Sequence, residues 1–170
     1  MFEEEVQRYF HEHAITQRNQ SRDRDRHHRP AYDQQLIIGL DDEGVAAAYS
    51  HYRPPAENLP EELVLPAGAA IRMLQFLGVA VRYRSQGGKF ADQVVAHALW
   101  NILDQEPDAA KVYIVGEVDY RNEPSMAMLA RAKFLQMTTG GPAPEARLGW
   151  WLHVLRRPQA DGLRGRELAA

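Results

Sequence analysis

The spacing of apolar and polar positions changes period several times along the chain, and each change predicts an element. Phe2, Val6, Tyr9, Phe10 and His13 recur at helical spacing with Glu3, Glu4 and Glu5 in the first turn, which predicts an amphipathic helix over Phe2–Ala14 with acids at the positive end of its dipole. Thr16–Pro30 has no apolar residue before the closing proline. Two β-like runs follow, Gln34–Leu40 and Val45–Tyr52, with Asp41-Asp42-Glu43-Gly44 between them as a hairpin turn. The stretch 51–68 carries four prolines, so it should wrap the sheet edge rather than form a long element. Ile71 to Val81 is mostly apolar or β-branched, as in a strand buried on both faces. Gln86-Gly87-Gly88 breaks the chain, and from Phe90 the period becomes helical: Phe90, Val94 and Ala98 form one stripe, with Val95, Leu99 and Ile102 beside it, until Glu106-Pro107-Asp108. Ala110–Val118 reads as a strand, with Tyr113, Val115, Glu117 and Asp119 sharing one face. A short helix leads to Phe134. Lys133–Thr138, the loop TTGGPAPEA and Arg147–Arg156 then read as a closing hairpin, in which Trp150 and Trp151 must point to opposite faces. From Arg157 there is little to bury, and a frayed tail is expected.

This order predicts a mixed α/β sheet in a single domain over residues 1–170, with 1–30 as helix plus arginine-rich loop and 157–170 as the tail. There is no internal repeat and no low-complexity segment. Composition, at 45% hydrophobic and 25% charged, is that of a soluble globular protein. No apolar run approaches the ~20 residues of a membrane span. MFEEEVQRYF lacks a basic leader, so a cytoplasmic location with no membrane partner is expected. Without cysteine there is no disulfide, thiolate metal site or acyl-cysteine intermediate. The adjacent His27-His28 is no ready ligand set, and no metal is expected. A net charge of −3 gives no global pull toward nucleic acid. Locally, Arg18, Arg22, Arg24, Arg26 and Arg29 alternate with Asp23 and Asp25, either as a solvated loop or as a cationic edge for a phosphate-bearing ligand.

The strand, glycine loop and helix in the middle of the chain have a chemical use. First-turn N–H groups left free at a glycine loop, beside the positive helix end, form a nest for phosphate. Neither G-x-G-x-x-G nor G-K-[ST] is present. The run Tyr83-Arg84-Ser85-Gln86-Gly87-Gly88-Lys89-Phe90-Ala91 instead resembles the acetyl-CoA loop of the GCN5-related N-acetyltransferases (GNAT), Q/R-x-x-G-x-G/A, with Gln86 and Ala91 at its ends and Lys89 where the family has its middle glycine. Val79-Ala80-Val81 resembles the strand segment whose backbone pairs with the pantetheine arm. Farther on, Val118 to Ser125 and the helix to Phe134 resemble the family's V-x-x-x-N, short helix, G-F motif, with Asn122 and Ser125 at its polar positions. Lys133 replaces the glycine, and Leu129 stands where many members have a tyrosine.

The resemblance implies a mixed, mostly antiparallel central sheet flanked by helices and splayed between the family's fourth and fifth strands, with Val79–Val81 and Val115–Val118 lining the cleft. It implies an acetyl-CoA-dependent N-acetyltransferase that moves an acetyl group by direct transfer to a primary amine of a small molecule or protein. Acetyl-CoA would be held by Val79, Ala80, Val81, Gln86, Gly87, Gly88, Lys89, Phe90, Ala91, Asn122 and Ser125. His51, Tyr52 and Arg53, at a strand end, are candidates to face the acceptor pocket. The position of the base found in many histone-type members is Gln75, which cannot take a proton, so Glu117, Asp119 or a water held by Gln75 remains for that role, or else an acceptor whose own amine pKa is low. Tyr83, Tyr120 or water remains for protonating the thiolate. The two carboxylates have an alternative reading as strand-end acids that meet solvent or Arg121. The amine acceptor is unidentified, and a second copy of the chain is a candidate partner in a homodimer. Two other functions stay open. One is a toxin-type acetyltransferase of aminoacyl-tRNA, suggested by Arg18–Arg29 and by HEHAITQRNQS; the other is a non-catalytic acyl-CoA-binding module.

Overall fold

The computed structural model describes residues 33–84, 87–143 and 146–157. The expected helix over 2–14, the arginine-rich segment, Gln86 and the tail beyond Arg157 lie outside the described residues. Six strands form one sheet: β1 (Gln35–Asp41), β2 (Gly44–Tyr52), β3 (Ala70–Val79), β4 (Lys111–Asp119), β5 (Leu135–Gln136) and β6 (Leu148–Arg156), in the order β1-β2-β3-β4-β6-β5. Only β3 and β4 run parallel; every other neighbouring pair is antiparallel. The helices are α1 (Val81–Arg84), α2 (Lys89–Asp104) and α3 (Glu123–Arg131), and the proline-rich connection holds a 3₁₀ turn at Ala56–Asn58.

Helix α2 forms the crossover that the parallel pair requires. Its stripe Val94, Val95, Ala98 and Ile102 is buried against Tyr49, Leu74, Val112 and Ile114 of the sheet. Pro107 ends the helical run, with the Gln105 N–H closing the last turn on the Asn101 carbonyl. Helix α3 begins on Asn122, whose Oδ1 accepts the Ser125 N–H at 3.2 Å, and it buries Met128 and Leu129 in the same core. Trp151 joins that core while Trp150 stays partly exposed, the alternation expected of neighbouring strand residues. Among the described residues no helix is long and apolar enough to cross a membrane.

Four expectations need correction. β3 stops at Val79: the Ala80 N–H still bonds the Ala46 carbonyl in the register of β2, but the Ala80 carbonyl accepts the Tyr83 N–H and Val81 already lies in α1. β3 is not apolar on both faces either: Arg72 is fully buried within it, and Gln75 is exposed. β5 is only two residues long, because the Lys133 and Phe134 N–H groups close the end of α3 on the Ala130 and Leu129 carbonyls. Arg157 is anchored rather than frayed, its N–H on the Ala110 carbonyl and its guanidinium on the Leu103 carbonyl at 2.7 Å.

Under the sheet, at the far end of α2, lies a polar network built on Arg72. The guanidinium makes a two-pronged pair with Asp33 at 2.6 Å per prong and reaches Glu106 at 2.6 Å. Glu106 also accepts Arg53 at 2.9 and 2.7 Å. His51 is fully buried beside them, its Nε2–H donating to Asn101 Oδ1 at 2.8 Å, and burial pushes its imidazole down from the ordinary range. His51 and Arg53 therefore bind α2 and its C-terminal turn and do not face an acceptor pocket.

Candidate functional site

The parallel ladder between β3 and β4 covers only Ala70–Met73 against Val112–Val115. Beyond it both strands continue, β3 to Val79 and β4 to Asp119, without pairing with each other. The cause is visible in β3. Phe76 faces Ser50 and Leu74 faces His51 across the β2 ladder, so Gln75 is the extra residue of a bulge, and a bulge adds local twist that turns the strand away from its neighbour. Gly116 sits where the strands part; a Cβ there would come 3.3 Å from the Leu74 carbonyl oxygen. Each strand keeps its outer partner, β2 for β3 and β6 for β4, and the inner main-chain edges line a cleft of about 770 Å³.

The cleft ends on the glycine loop. Gly87 and Gly88 both have positive φ, 63° and 83°, and Gly88 is the N-cap of α2. Left-handed Gly88 followed by the right-handed first residue of the helix is the backbone alternation of an anion-binding nest. The approach to the loop is held by Asp41, which accepts Arg82 at 2.6 Å and the Tyr83 hydroxyl at 2.5 Å, and these two donors bring its carboxyl down to about 2. The Tyr83 ring stacks on Phe90 with centroids 4.1 Å apart. Tyr83 lines the cleft, but its hydroxyl is committed to Asp41, which pushes its ionisation up.

On the β4 side, Glu117 and Asp119 both line the cleft and differ in environment. Asp119 accepts Arg121 through its main-chain N–H at 3.0 Å and its guanidinium at 3.0 and 3.1 Å, contacts that hold its carboxyl below the usual range, and it also accepts Arg147 Nε at 2.6 Å. Glu117 has no hydrogen-bond or ion-pair partner among the described residues; its side chain is exposed to the cleft, whose walls desolvate the carboxyl and push it up. Gln75 lines the opposite strand and accepts the Gln34 amide at 3.1 Å.

Of the residues the sequence proposes for the cofactor, Val79, Gly87, Gly88, Ala91, Asn122 and Ser125 line the cleft together. Ala80 is instead packed against Ala48, Val81 and Lys89 face outward, and Phe90 serves by stacking on Tyr83. Arg84, Met128 and Arg131 were missed and also line it. The last two were findable, since Pro124, Ala127, Met128 and Arg131 fall on one helical stripe below Asn122. Lys133, at the family's glycine position, keeps the left-handed backbone with φ 65°. No group of three or more metal-ligating side chains occurs among the described residues.

Neither a protein-family model nor a curated protein sequence matches the chain. Solved structures do. A protein from Agrobacterium tumefaciens assigned as an acetyltransferase matches 85% of this chain and 90% of its own, with a TM-score of 0.50 at 17% identity. A protein from Desulfovibrio desulfuricans assigned to the GNAT family matches 72% and 69%, with a TM-score of 0.49 at 13% identity. The ribosomal-protein-S18-alanine N-acetyltransferase of Escherichia coli matches 81% and 75%, with a TM-score of 0.46 at 16% identity. With its mostly antiparallel sheet, the one parallel pair that splays apart, and a glycine loop opening the crossover helix, the chain has the GNAT acyl-CoA N-acyltransferase fold.

Proposed function

We propose that the protein is an N-acetyltransferase that moves an acetyl group from acetyl-CoA directly to a primary amine of a small molecule or protein. The observation that carries this reading is the open pair of strand edges leading to the Gly87-Gly88 loop. Main-chain N–H and C=O groups at Gln75–Val79 and Gly116–Asp119 face a cleft in place of each other, and such groups require partners. An extended chain with its own amides, like a pantetheine arm, supplies partners at that spacing. The N–H nest and the dipole of α2 suit a pyrophosphate at the end of the same cleft.

Acetyl-CoA supplies an acyl group already activated as a thioester. The chain's residues do the rest. Val79 and its neighbours on β3 bind and orient the arm. Asn122 caps α3 with its Oδ1 and keeps its amide nitrogen for the ligand, and the Ser125 hydroxyl stands on the same wall. Glu117 Oε takes the proton from the attacking amine, directly or through one water, because it is the cleft carboxylate with no cation beside it. Asp119, tied to two arginines, holds the start of α3 in place and leaves the proton to Glu117. Leu129 offers no hydroxyl and the Tyr83 hydroxyl serves Asp41, so solvent returns the proton to the departing thiolate.

The test is calorimetry of the full chain with acetyl-CoA, followed by a panel of primary amines scored by release of free CoA thiol. Micromolar-range binding with turnover of at least one amine is expected. Absence of binding overturns the reading; binding without turnover across a broad panel leaves only the non-catalytic module.

A further inference from the structure

We infer that Arg131 is a direct ligand of the CoA pyrophosphate, held ready by an ion pair with Asp92 that it exchanges for the phosphate; this rests on the reading of the cleft proposed above. Arg131 closes helix α3, and its guanidinium lies against the glycine loop that opens α2. A Cβ added at Gly88 would come 2.6 Å from Arg131 Nη2 and 3.2 Å from its Cζ. The three heavy atoms nearest that added Cβ, apart from those of the chain neighbours, all belong to the Arg131 guanidinium. The side chain reaches this place through Asp92, its Nη2 and Nε bonding the carboxylate at 2.8 and 3.0 Å.

The electrostatics favour an exchange. Asp92 stands in the first turn of α2, where an acid gains from the dipole but also places a negative charge beside the nest meant for an anion. Arg131 cancels that charge while the cleft is empty. Both side chains are close to half exposed, 46% for Arg131 and 41% for Asp92, and an ion pair so wetted is weak. A pyrophosphate seated on the Gly88 loop offers the same planar fork two charged oxygens and carries more negative charge than one carboxylate. The guanidinium has only to swing about its own stem, because it already touches the loop.

Two substitutions pull in opposite directions, so a folding defect cannot imitate the result. Calorimetry is run on the full chain with CoA and with dephospho-CoA, which keeps the pyrophosphate and lacks the 3′-phosphate. Arg131→Gln should raise Kd at least about tenfold for both probes, the range for losing a charge-assisted bond. Asp92→Asn should lower Kd by about threefold or more, since the competing carboxylate is gone and Arg131 is free for the phosphate. Unchanged or weakened binding by Asp92→Asn, or parent-like binding by Arg131→Gln, overturns the exchange. A loss seen with CoA alone would move Arg131 to the 3′-phosphate and overturn the assignment to the pyrophosphate. If the unaltered chain binds neither probe, the acyl-CoA reading fails first and takes this inference with it.

Discussion

Glu117 and Asp119 stand two residues apart on one face of β4, and what surrounds each carboxyl separates their roles. The Arg121 main-chain N–H and guanidinium stabilise ionised Asp119, while desolvation by the cleft walls, with no cation beside it, raises Glu117. A base must be deprotonated to act, so kcat should fall as pH drops through the raised Glu117 value, an acid limb above the ordinary carboxylate range. Glu117→Gln should lower kcat by ~10²-fold and abolish that limb, leaving the Kd for acetyl-CoA unchanged. A pH–rate profile with saturating acetyl-CoA checks this; an intact acid limb in the variant would return the base role to Asp119 or to the acceptor itself. Lys133 shows a different residue-scale effect. Its φ of 65° is one that a side chain makes costly, and only the closure of α3 holds it there. Lys133→Gly should therefore stabilise the protein by ~0.5–1 kcal/mol, read as a higher urea midpoint at unchanged m-value.

Among the elements, α1 is too short to hold itself in place, and the β1–β2 hairpin fixes it through Asp41. Arg82 and Tyr83 both donate to that carboxylate, so the loop that follows inherits its position from the hairpin end. The pH dependence follows from the sign of the shift. The folded Asp41 value, about 2, lies below its ordinary 3.8, so its contribution is fully present above that ordinary value and is lost as pH falls toward 2. Asp41→Asn should flatten the part of the stability curve between those two limits and raise the Kd for acetyl-CoA a few-fold, as measured by urea titrations at stepped pH and by calorimetry at neutral pH. A variant with the parent's acid limb would show that α1 is held by packing alone. Asn122 and Arg131 bracket α3 in a comparable way, one end capped on the cleft wall and the other tied to α2.

At the scale of the molecule, the splay opens one end of the β3–β4 pair while the Arg72 network locks the other. Arg72, fully buried, depends on Asp33 and Glu106, and Glu106 also holds Arg53. A charge taken out of water survives only with such partners, and removing one leaves the rest uncompensated. Glu106→Ala should cost ~3–5 kcal/mol, seen in denaturant unfolding, with the Kd for acetyl-CoA little changed in the molecules that remain folded. A loss under about 1 kcal/mol would mean that Asp33 alone satisfies Arg72.

The chain by itself determined the elements that rest on local patterning. Hydrophobic period placed β2, α2 and β4, the Asp-Asp-Glu-Gly turn placed the hairpin, and two motifs in register pointed to the fold. Glycine at 87 and 88, between a strand and a helical stripe, marked the loop, because local backbone chemistry needs no partner to be read. Tertiary structure decided what depends on partners far away in sequence. That Gln75 is a bulge residue depends on the β2 register, and the length of the splay depends on it in turn. Beyond the neighbouring Arg121 that the sequence offered, Asp119 gained Arg147 from 28 residues downstream, while Glu117 gained no cation among the described residues. Arg131 was drawn to the glycine loop by Asp92, 39 residues upstream. Arg72 looked like an intruder in an apolar strand until Asp33 and Glu106 closed around it. Charge and hydrogen-bond pairing act through space at a few ångströms, and sequence spacing records nothing of that distance.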